Sequence, residues 1–302
     1  MQPTELRLAT PGLTLAARLW AAKTPAQGAV PILAVHGFQD NAASFDRLAT
    51  AWLHRRDCLC SQLLALDLPG HGRSDWRASG AGYFIMDYVA DVLAVADALG
   101  WDRFVILGHS LGAGIATLLG GARPDRLLSA LLIDGLGPVS MAPAKGPSLA
   151  ASALAERARA TPPSREMRDL EEASAVRAAS RIRIDRDSAR VLCGRGTRST
   201  AQGSIAWRAD PRLGRPSLGR LTEDTVLAFI RAMSVPTLLV EADEGVLHSL
   251  PEGRYAARLA AHPKLTHESL PGRHHLHMGS AAISVADRSD AFLRAHLPPG
   301  SR

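Results

Sequence analysis

A strand, a sharp turn and a helix are predicted in succession between residues 104 and 119, and this unit constrains the fold more than any other. An apolar run at 104–107 leads into the sequence Gly-His-Ser-Leu-Gly at 108–112, and a helical pattern follows. The serine backbone in such a turn is strained, so both flanking positions must be small, and both are glycine. The turn lifts the serine hydroxyl above the strand end and places it at a helix N-terminus, where free N–H groups stabilise negative charge. Ser110 is therefore a candidate nucleophile.

Strand-like and helical patterns alternate along most of the chain. Long apolar runs are typical of strands that are buried on both faces, and strands that alternate with helices predict a parallel sheet covered by helices. A hairpin is predicted at the N-terminus, around Pro11 and Gly12. Strands are predicted at 5–9, 13–20, 30–35, 63–68, 104–107, 128–133, 237–240 and 265–270, and helices at 44–53, 87–99, 113–119, 255–260 and 285–297.

This alternation stops at Pro138 and returns at Thr237. The intervening sequence is rich in Ala, Arg, Pro, Gly and Ser and contains no strand-like run. We therefore predict an α/β core formed by 1–138 and 221–302, with a helical lid inserted at 139–220. A long, partly disordered connection is the alternative interpretation, above all near 194–203.

The positive charge of the chain is concentrated in the predicted lid. The formal net charge is +6, and residues 141–220 hold 16 basic and 8 acidic residues. These arginines lack the regularly interleaved aromatic residues of a base-stacking surface, so we expect no nucleic-acid partner. A solvated helical face is the favoured interpretation, and a preference for anionic ligands is the alternative.

The remaining composition predicts a soluble, cytoplasmic protein. No apolar run approaches the roughly 20 residues of a membrane span, so we expect no membrane partner. The first residues do not form a basic stretch followed by an apolar one, and hence we expect no secretory signal. Three cysteines, Cys58, Cys60 and Cys193, fit neither a disulfide framework nor a metal-binding pattern.

A serine nucleophile requires a base, and histidines cluster near the C-terminus at His274, His275 and His277. His274 follows a Gly-Arg turn directly after the last predicted strand, so its loop can reach Ser110. We expect His275 and His277 to pack or to face solvent. A metal site of the His-His-x-His type is the alternative, but no carboxylate lies close by in the sequence, and the spacing is not that of a helical ligand pair. We therefore expect no metal and no organic cofactor.

The acid that orients this base has two possible origins. Asp134 ends the strand after that of Ser110, and the loop after Val240 contains Glu241, Asp243 and Glu244. Ligand pockets in parallel sheets form at the carboxyl ends of strands, so both positions point toward the same site. A loop aspartate that caps backbone N–H groups is the structural alternative in either place.

Two backbone donors are needed to stabilise the oxyanion that forms when a serine attacks a carbonyl. The Leu111 N–H, directly after the nucleophile, is one candidate, and the Phe38 N–H, after a His-Gly pair, is the second. Histidines also occur at His36, His71 and His109, and in turns of this kind they are more often structural than catalytic.

Several stretches resemble the α/β-hydrolase superfamily, and within it the serine hydrolase-like proteins. Residues 36–45, H-G-F-Q-D-N-A-A-S-F, are similar to the H-G-W-x-D-N-x-x-S-F of that group, with Phe38 in place of Trp. Residues 271–278, P-G-R-H-H-L-H-M, fit the same group, and 66–72 and 132–138 fit the whole superfamily. The resemblance covers nearly the whole chain. It implies an α/β-hydrolase fold, with a mostly parallel eight-stranded sheet, helices on both faces and an inserted helical lid.

The resemblance also bears on the choice of acid. In this superfamily the aspartate usually lies a few residues past the strand that ends near Val240, where this chain has Gly245. Asp134 lies where some relatives place the acid instead. The resemblance therefore favours Asp134, and Asp243 remains the alternative.

Together these features predict a serine hydrolase that acts on a small carboxylic ester through Ser110, His274 and Asp134, with Phe38 and Leu111 as oxyanion donors. Two further functions are compatible with parts of the pattern. The same triad supports hydrolysis of carbon–carbon bonds or perhydrolysis, and the same fold can serve as a non-catalytic receptor for a small molecule. Binding alone does not require a serine, a histidine and an acid together.

Overall fold

Strands and helices alternate along the chain, as the sequence pattern predicted. A computed structural model describes residues 1–217 and 219–297. Its strands are β1 (Thr4–Thr10), β2 (Leu13–Ala21), β3 (Pro25–Val35), β4 (Cys58–Leu66), β5 (Phe104–His109), β6 (Leu127–Ile133), β7 (Glu166–Met167), β8 (Thr197–Ser199), β9 (Ile205–Trp207), β10 (Thr237–Glu244) and β11 (Leu265–Arg273).

The helices cover both faces of the main sheet. They are α1 (Asp46–Leu53), α2 (Ile85–Ala98), α3 (Leu111–Ala122), α4 (Gly146–Arg157), α5 (Leu170–Ala178), α6 (Arg186–Gly196), α7 (Glu223–Ala232), α8 (Arg254–Ala261) and α9 (Ala282–His296). Across residues 1–217 and 219–297, none of these helices has the length and apolar character that crossing a lipid bilayer requires.

The main sheet has eight strands in the order β1-β2-β4-β3-β5-β6-β10-β11. The hairpin of β1 and β2 is antiparallel and pairs antiparallel with β4, and the six strands from β4 to β11 run parallel to one another. Every residue of β5 and β6 is buried, because these strands are central and helices cover both faces. The mostly parallel, eight-stranded sheet confirms the predicted fold class.

Two apolar cores lie on opposite faces of this sheet. One core packs α2, α3 and α7 against the sheet, and the other packs α1 and α9. In the second core the Trp52 indole N–H donates to Asp290 Oδ1 at 3.0 Å, and the Leu59 N–H donates to the same oxygen at 2.8 Å. A buried carboxylate that receives two hydrogen bonds ties α1, β4 and α9 together.

The segment between β6 and α7 corresponds to the predicted lid, and we call it the cap (residues 139–220). It contains α4, α5 and α6, and the three short strands β7, β8 and β9 form an antiparallel sheet of their own. The expectation of a lid without strands was therefore wrong in this detail. These strands have only two or three residues each, too few for a period-two pattern to appear in the sequence.

The region 194–203 also differs from the alternative interpretation of a disordered connection. It holds the end of α6, the strand β8 and a turn in which the Thr200 N–H donates to the Ser204 carbonyl at 2.9 Å. Gly203 in this turn has φ +81°, a left-handed conformation that glycine adopts readily. The division of the chain at 139 and 220 stays a prediction.

A buried arginine anchors the chain where it leaves the core for the cap. The Arg258 guanidinium donates to the carbonyls of Leu136 and Pro138, at 2.7 and 3.0 Å, and to both carboxylate oxygens of Glu223, at 2.8 and 2.9 Å. A buried charge is tolerated when it is paired and fully hydrogen-bonded, as it is here. This anchor holds the segment that follows Asp134 against α7 and α8.

His277 lies in the second core with no exposed surface. Its ring packs on Phe45, with the ring centroids 5.0 Å apart, and on His109, at 4.4 Å. Neither of its ring nitrogens has a hydrogen-bond partner among the described residues. Burial, reinforced by the nearby His275, lowers the pKa of His277 from 6.5 to about 3, so the ring is neutral in the folded protein at physiological pH.

We expect this buried ring to make the protein sensitive to acid. The unfolded chain binds a proton at this histidine below about pH 6.5 and the folded chain does not. The stability that neutral His277 confers is therefore complete above this pH and is lost as the pH falls toward 3, at up to about 1.4 kcal/mol per pH unit. His277→Phe fills the same space without titrating. Urea unfolding near pH 7 and near pH 5 should show a smaller loss of stability in the variant than in the parent.

His54→Phe is the matched control, because it removes an exposed histidine. It should leave the difference in unfolding free energy between the two pH values close to that of the parent protein. An equal loss of stability in His277→Phe and in the parent would show that this ring does not determine the acid sensitivity.

Candidate active site

The turn between β5 and α3 has the strained geometry that its sequence predicted. Ser110 has φ 52° and ψ −110°, a region that residues with a side chain rarely occupy. A Cβ at position 112 would overlap the Val35 carbonyl oxygen, and one at position 108 would overlap the Gly112 backbone. Glycine is thus required at both flanking positions because backbone segments approach one another too closely for a side chain.

Ser110 is partly exposed and forms the N-terminal boundary of α3. Within residues 1–217 and 219–297 its hydroxyl makes no hydrogen bond, and the N–H groups of Leu111 and Phe38 have no acceptor. The first turn of α3 lies against the end of β3, since a Cβ at Gly112 would also lie 3.1 Å from the His36 carbonyl oxygen. The loop that carries Phe38 therefore begins beside the turn that carries Ser110.

His274 and Asp134 form a buried pair. His274 Nδ1 lies 2.5 Å from Asp134 Oδ2, and both side chains are at least 96% buried, with exposed fractions of 4% and 0%. The carboxylate also accepts from the backbone N–H of Val246 at 2.9 Å and of Ala242 at 3.3 Å. With the Nδ1 proton directed at Asp134, the lone pair of the imidazole is on Nε2, where it can accept a proton.

The backbone around Asp134 brings the carboxylate close to the turn of Ser110. The Ser110 N–H donates to the Ile133 carbonyl at 3.1 Å, so the end of β6 is fixed to the turn. A Cβ at Gly135 would lie 3.0 Å from the Ser110 carbonyl oxygen, so the two backbones nearly touch. Asp134 itself has φ 43°, a left-handed conformation that aspartate tolerates better than most residues.

The alternative acids after Val240 point to other partners. Asp243 Oδ1 accepts from the Gly272 N–H at 2.8 Å, and Glu244 pairs with Arg273 at 3.3 Å. Glu241 pairs with His267 at 3.0 Å. None of the three is hydrogen-bonded to His274 among the described residues.

Gly245 occupies the position where the resemblance described above implied an aspartate. A Cβ there would overlap both carboxylate oxygens of Asp134. The carboxylate of Asp134 therefore fills the space that a side chain at 245 would need, and only one of the two positions can hold an acid.

Two of the histidines assigned to structural roles fix backbone loops around the site. His36 Nδ1–H donates to the Gly37 carbonyl at 2.7 Å, and its Nε2 accepts from the Leu68 N–H at 3.1 Å. Burial lowers the pKa of His36, so the neutral ring holds the loops after β3 and β4 together. His71 is buried as well, its ring lies 6.1 Å from that of Phe38, and burial lowers its pKa to about 3.

His109 supports the loop that carries His274. Its Nε2–H donates to the His274 carbonyl at 3.0 Å, and the two ring centroids are 4.5 Å apart. Burial and the adjacent histidines, His277 first among them, hold the pKa of His109 well below its usual value. A neutral His109 therefore positions the backbone of His274 while the side chain of His274 contacts Asp134.

Asp40, His109 and His275 bring together three atoms that are possible metal ligands, all within 4.8 Å of one another. Asp40 Oδ2 lies 3.2 Å from His275 Nε2 and 3.6 Å from His109 Nδ1. Arg177 already donates to Asp40 Oδ1 at 2.7 Å and lies 3.5 Å from His275 Nε2. The guanidinium thus supplies the positive charge that a metal would bring, and a cation could bind only if Arg177 moved away.

This arrangement stabilises the ionised form of a buried carboxylate. Burial alone would raise the pKa of Asp40, but its contacts with His275 and Arg177 hold that pKa well below the usual value. Asp40 follows the Phe38 loop, where its N–H donates to the Gly37 carbonyl at 3.1 Å. The ion pair with Arg177 therefore fixes this loop to α5 of the cap.

Two further side chains, those of Asn41 and Arg195, attach the cap to the core. The Asn41 side-chain amide donates to the Leu192 carbonyl at 2.9 Å. Arg195, with 4% of its side chain exposed, binds Asp67 at 2.9 Å and Glu5 at 2.8 Å. The interpretation of the cap arginines as a solvated face was wrong for Arg177 and Arg195. The sequence contained one signal for these ion pairs. The cap has an excess of positive charge, and the core loops contain the acidic residues Asp40 and Asp67.

The comparisons with known proteins agree with this fold. Residues 30–180 match the family of the α/β-hydrolase fold. A probable serine hydrolase from Drosophila melanogaster is 31% identical over 289 residues, covering 91% of this chain and 83% of the fly protein. A serine hydrolase-like protein from Danio rerio is 27% identical over 304 residues, covering 98% of this chain and 90% of the fish protein.

A solved structure gives the same result. The crystal structure of a hypothetical protein from Pseudomonas aeruginosa PAO1 superposes with a TM-score of 0.85 at 39% identity, covering 96% of this chain and 99% of the other. The resemblance to serine hydrolase-like proteins that the sequence indicated is confirmed by these relatives. The chain therefore belongs to the α/β-hydrolase family, and the similar proteins within that family are serine hydrolase-like proteins.

Proposed function

We propose that the protein is a serine hydrolase that cleaves small carboxylic esters through a covalent acyl-enzyme. The observation that carries the proposal is the buried pair of His274 and Asp134, 2.5 Å apart, beside the strained turn that presents Ser110. A serine, a neutral imidazole and a buried carboxylate in this arrangement are the groups that acyl transfer to a serine requires. The relationship to the fly protein, which is named a probable serine hydrolase, supports the same chemistry.

In the first step, His274 Nε2 takes the proton of the Ser110 hydroxyl while Oγ attacks the ester carbonyl carbon. The carbonyl π electrons move to the oxygen, and a tetrahedral oxyanion forms. Asp134 holds the Nδ1 proton and stabilises the imidazolium by its negative charge. The N–H groups of Leu111 and Phe38, which have no acceptor among the described residues, are the proposed donors to the oxyanion, and donors of this kind contribute on the order of 3 kcal/mol each.

In the second step, the tetrahedral intermediate collapses and expels the alcohol, which receives its proton from His274. Ser110 is then esterified by the acyl group. A water molecule, deprotonated by the same imidazole, attacks the acyl carbonyl and releases the carboxylic acid with regeneration of the serine hydroxyl. Every proton in this cycle passes through His274, so the residues proposed here need no metal and no organic cofactor.

The cap is proposed to act as a lid over this site. Arg177 and Leu192 contact the loop of Phe38, and Arg195 contacts the loop after β4. Both loops lie at the carboxyl edge of the parallel strands, where ligand sites of such sheets occur. Acyl-chain preference is therefore expected to depend on side chains of the cap.

The free and buried Cys58, Cys60 and Cys193 support a proposed location in the reducing cytoplasm.

The decisive experiment is covalent labelling by a fluorophosphonate probe, combined with hydrolysis of p-nitrophenyl esters of increasing chain length. We expect the parent protein to be labelled and to release p-nitrophenol. Ser110→Ala should lose labelling, and its kcat should fall by several orders of magnitude, because the nucleophile is gone. Asp134→Asn should lower kcat on the order of 10⁴-fold, since the amide stabilises neither the required tautomer nor the imidazolium.

Asp243→Asn is the matched control, because it removes a charge from the neighbouring loop and should change kcat by less than about tenfold. Circular dichroism confirms that each variant is folded. Full labelling of Ser110→Ala would overturn the assignment of the nucleophile. A severe loss in Asp243→Asn, beside near-normal turnover in Asp134→Asn, would reverse the assignment of the acid.

Gly245→Ala tests the same acid without altering any polar group of the site. The added methyl group overlaps the Asp134 carboxylate, so we expect the carboxylate to shift away from His274. A misplacement of about 1 Å in a catalytic group can cost on the order of a hundredfold in rate. The variant should therefore show a kcat reduced by about this factor with a smaller change in KM, measured with the ester that the parent hydrolyses fastest.

The control is Gly279→Ala, in the loop that follows His277, where an added Cβ meets no atom within 4 Å. Its kcat should stay within about twofold of the parent value. Unchanged turnover in Gly245→Ala, together with an inactive Asp134→Asn, would show that the contact between Gly245 and Asp134 does not determine the position of the acid.

A further inference from the structure

An open pocket with a strongly basic lining lies where the cap meets the core, at residues that the proposed hydrolysis does not use. It has a volume of about 160 Å³. The core lines it with the loop after β4, and the cap lines it with β8 and the residue that follows β9. The lining residues are Gly72, Arg73, Ser74, Trp76, Arg198 and Arg208.

The three arginines of this pocket have little negative charge to neutralise them. In the described part of the chain, Arg198 and Arg208 form no ion pair with a carboxylate, and Arg73 reaches only Glu5, at 3.6 Å. A second carboxylate, that of Asp67, accepts from the Arg73 backbone N–H at 2.8 Å. Glu5 and Asp67 share the guanidinium of Arg195, at 2.8 and 2.9 Å, so four arginines stand against two carboxylates here. The pocket therefore carries an excess of positive charge, and a cleft of one sign concentrates counter-ions.

Arg208 is held in place by contacts of its backbone and of its Nε. Its backbone N–H donates to the Gly196 carbonyl, its carbonyl accepts from the Trp76 indole, and its Nε donates to the Thr197 carbonyl, each at 2.8 Å. No hydrogen bond of its two terminal nitrogens is found among residues 1–217 and 219–297. Partial burial and then repulsion from Arg73 and Arg198 lower the pKa of Arg208, as expected for cations that face one another.

We propose that this pocket binds a phosphate group, either free or as the end of a phosphomonoester, through Arg73, Arg198 and Arg208. The planar fork of a guanidinium matches the spacing of phosphate oxygens and can donate two hydrogen bonds to them. A phosphate dianion also brings the two negative charges that a group of three cations can accept, whereas a carboxylate brings one. The volume exceeds that of several water molecules, each about 30 Å³ in the liquid, and so admits a tetrahedral oxyanion.

The position of the pocket gives such an anion a structural effect. Arg73 and Trp76 belong to the core, whereas Arg198 and Arg208 belong to the cap. The anion would therefore link cap and core and relieve the repulsion between their arginines. Because it would bind the folded form, it should also stabilise the protein. This proposal does not depend on the hydrolytic chemistry of Ser110.

The test is calorimetric titration of the full chain with sodium phosphate and with phenyl phosphate, and with sodium acetate at the same ionic strength. We expect both phosphates to bind with one site per chain and acetate to bind at least about tenfold more weakly. The double variant Arg198→Gln/Arg208→Gln should weaken phosphate binding by about tenfold or more, since each charge-assisted hydrogen bond contributes on the order of a factor of ten.

The double variant Arg47→Gln/Arg231→Gln is the control, because it removes the same charge from two exposed arginines outside the pocket. Its affinity for phosphate should stay within about twofold of the parent. If Arg198→Gln/Arg208→Gln does not fold, the single variant Arg198→Gln serves instead, because this side chain is exposed. Thermal unfolding in the presence of phosphate gives a second measure, and the rise in Tm should be lost with the pocket arginines.

The outcomes separate the two sources of the phosphate group. Tighter binding of phenyl phosphate than of inorganic phosphate supports a phosphomonoester, and equal or weaker binding supports the free anion. Absence of phosphate binding to the parent overturns the proposal. So does equal binding of acetate, or equal loss of affinity in the two double variants, because each would mean that the overall charge and not this pocket attracts the anion.

Discussion

The buried hydrogen-bonded pair of Asp134 and His274 is the interaction on which the rest of the site depends. A carboxylate without exposed surface is costly unless hydrogen bonds satisfy it, and here it receives the imidazole and two backbone N–H groups from Ala242 and Val246. Those donors belong to β10 and the loop after it, so the pairing of β6 with β10 is a condition for the contact between Asp134 and His274. Gly245 leaves the space that the carboxylate needs.

A second set of buried charges joins the cap to the same edge of the sheet. Arg177 of α5 binds Asp40, and Arg195 of α6 binds Asp67. Two cap helices are therefore attached to the loops that follow β3 and β4. The loop after β3 also carries Phe38, whose N–H is the proposed second oxyanion donor. Removing one partner of a buried ion pair usually costs more free energy than the intact pair contributes to stability, because the other charge is left buried and unpaired. The position of the cap and the shape of this loop are therefore physically linked.

The sequence stretches that indicated the family have a clear structural meaning. The stretch at 36–45 contacts the stretch at 271–278. Asp40 Oδ2 lies 3.2 Å from His275 Nε2, and the ring centroids of Phe45 and His277 are 5.0 Å apart. Their spacing in the sequence could not show this, because 230 residues or more separate the partners in the chain. The short strands of the cap and the burial of its arginines were missed for a related reason. Neither a two-residue strand nor a long-range ion pair leaves a periodic pattern.

The sequence by itself determined the α/β class, the alternation of strands and helices, and the strained turn at Ser110, because these depend on local periodicity and on small residues at adjacent positions. It left Asp134 and Asp243 as alternative partners of His274, since both follow parallel strands. Only the tertiary structure decided which carboxylate meets the imidazole. The order of the strands places β6 between β5 and β10, and the Asp134 side chain fills the space beside Gly245, whereas Asp243 is held by the Gly272 N–H. A choice between two loops depends on contacts across the sheet, which no local pattern contains.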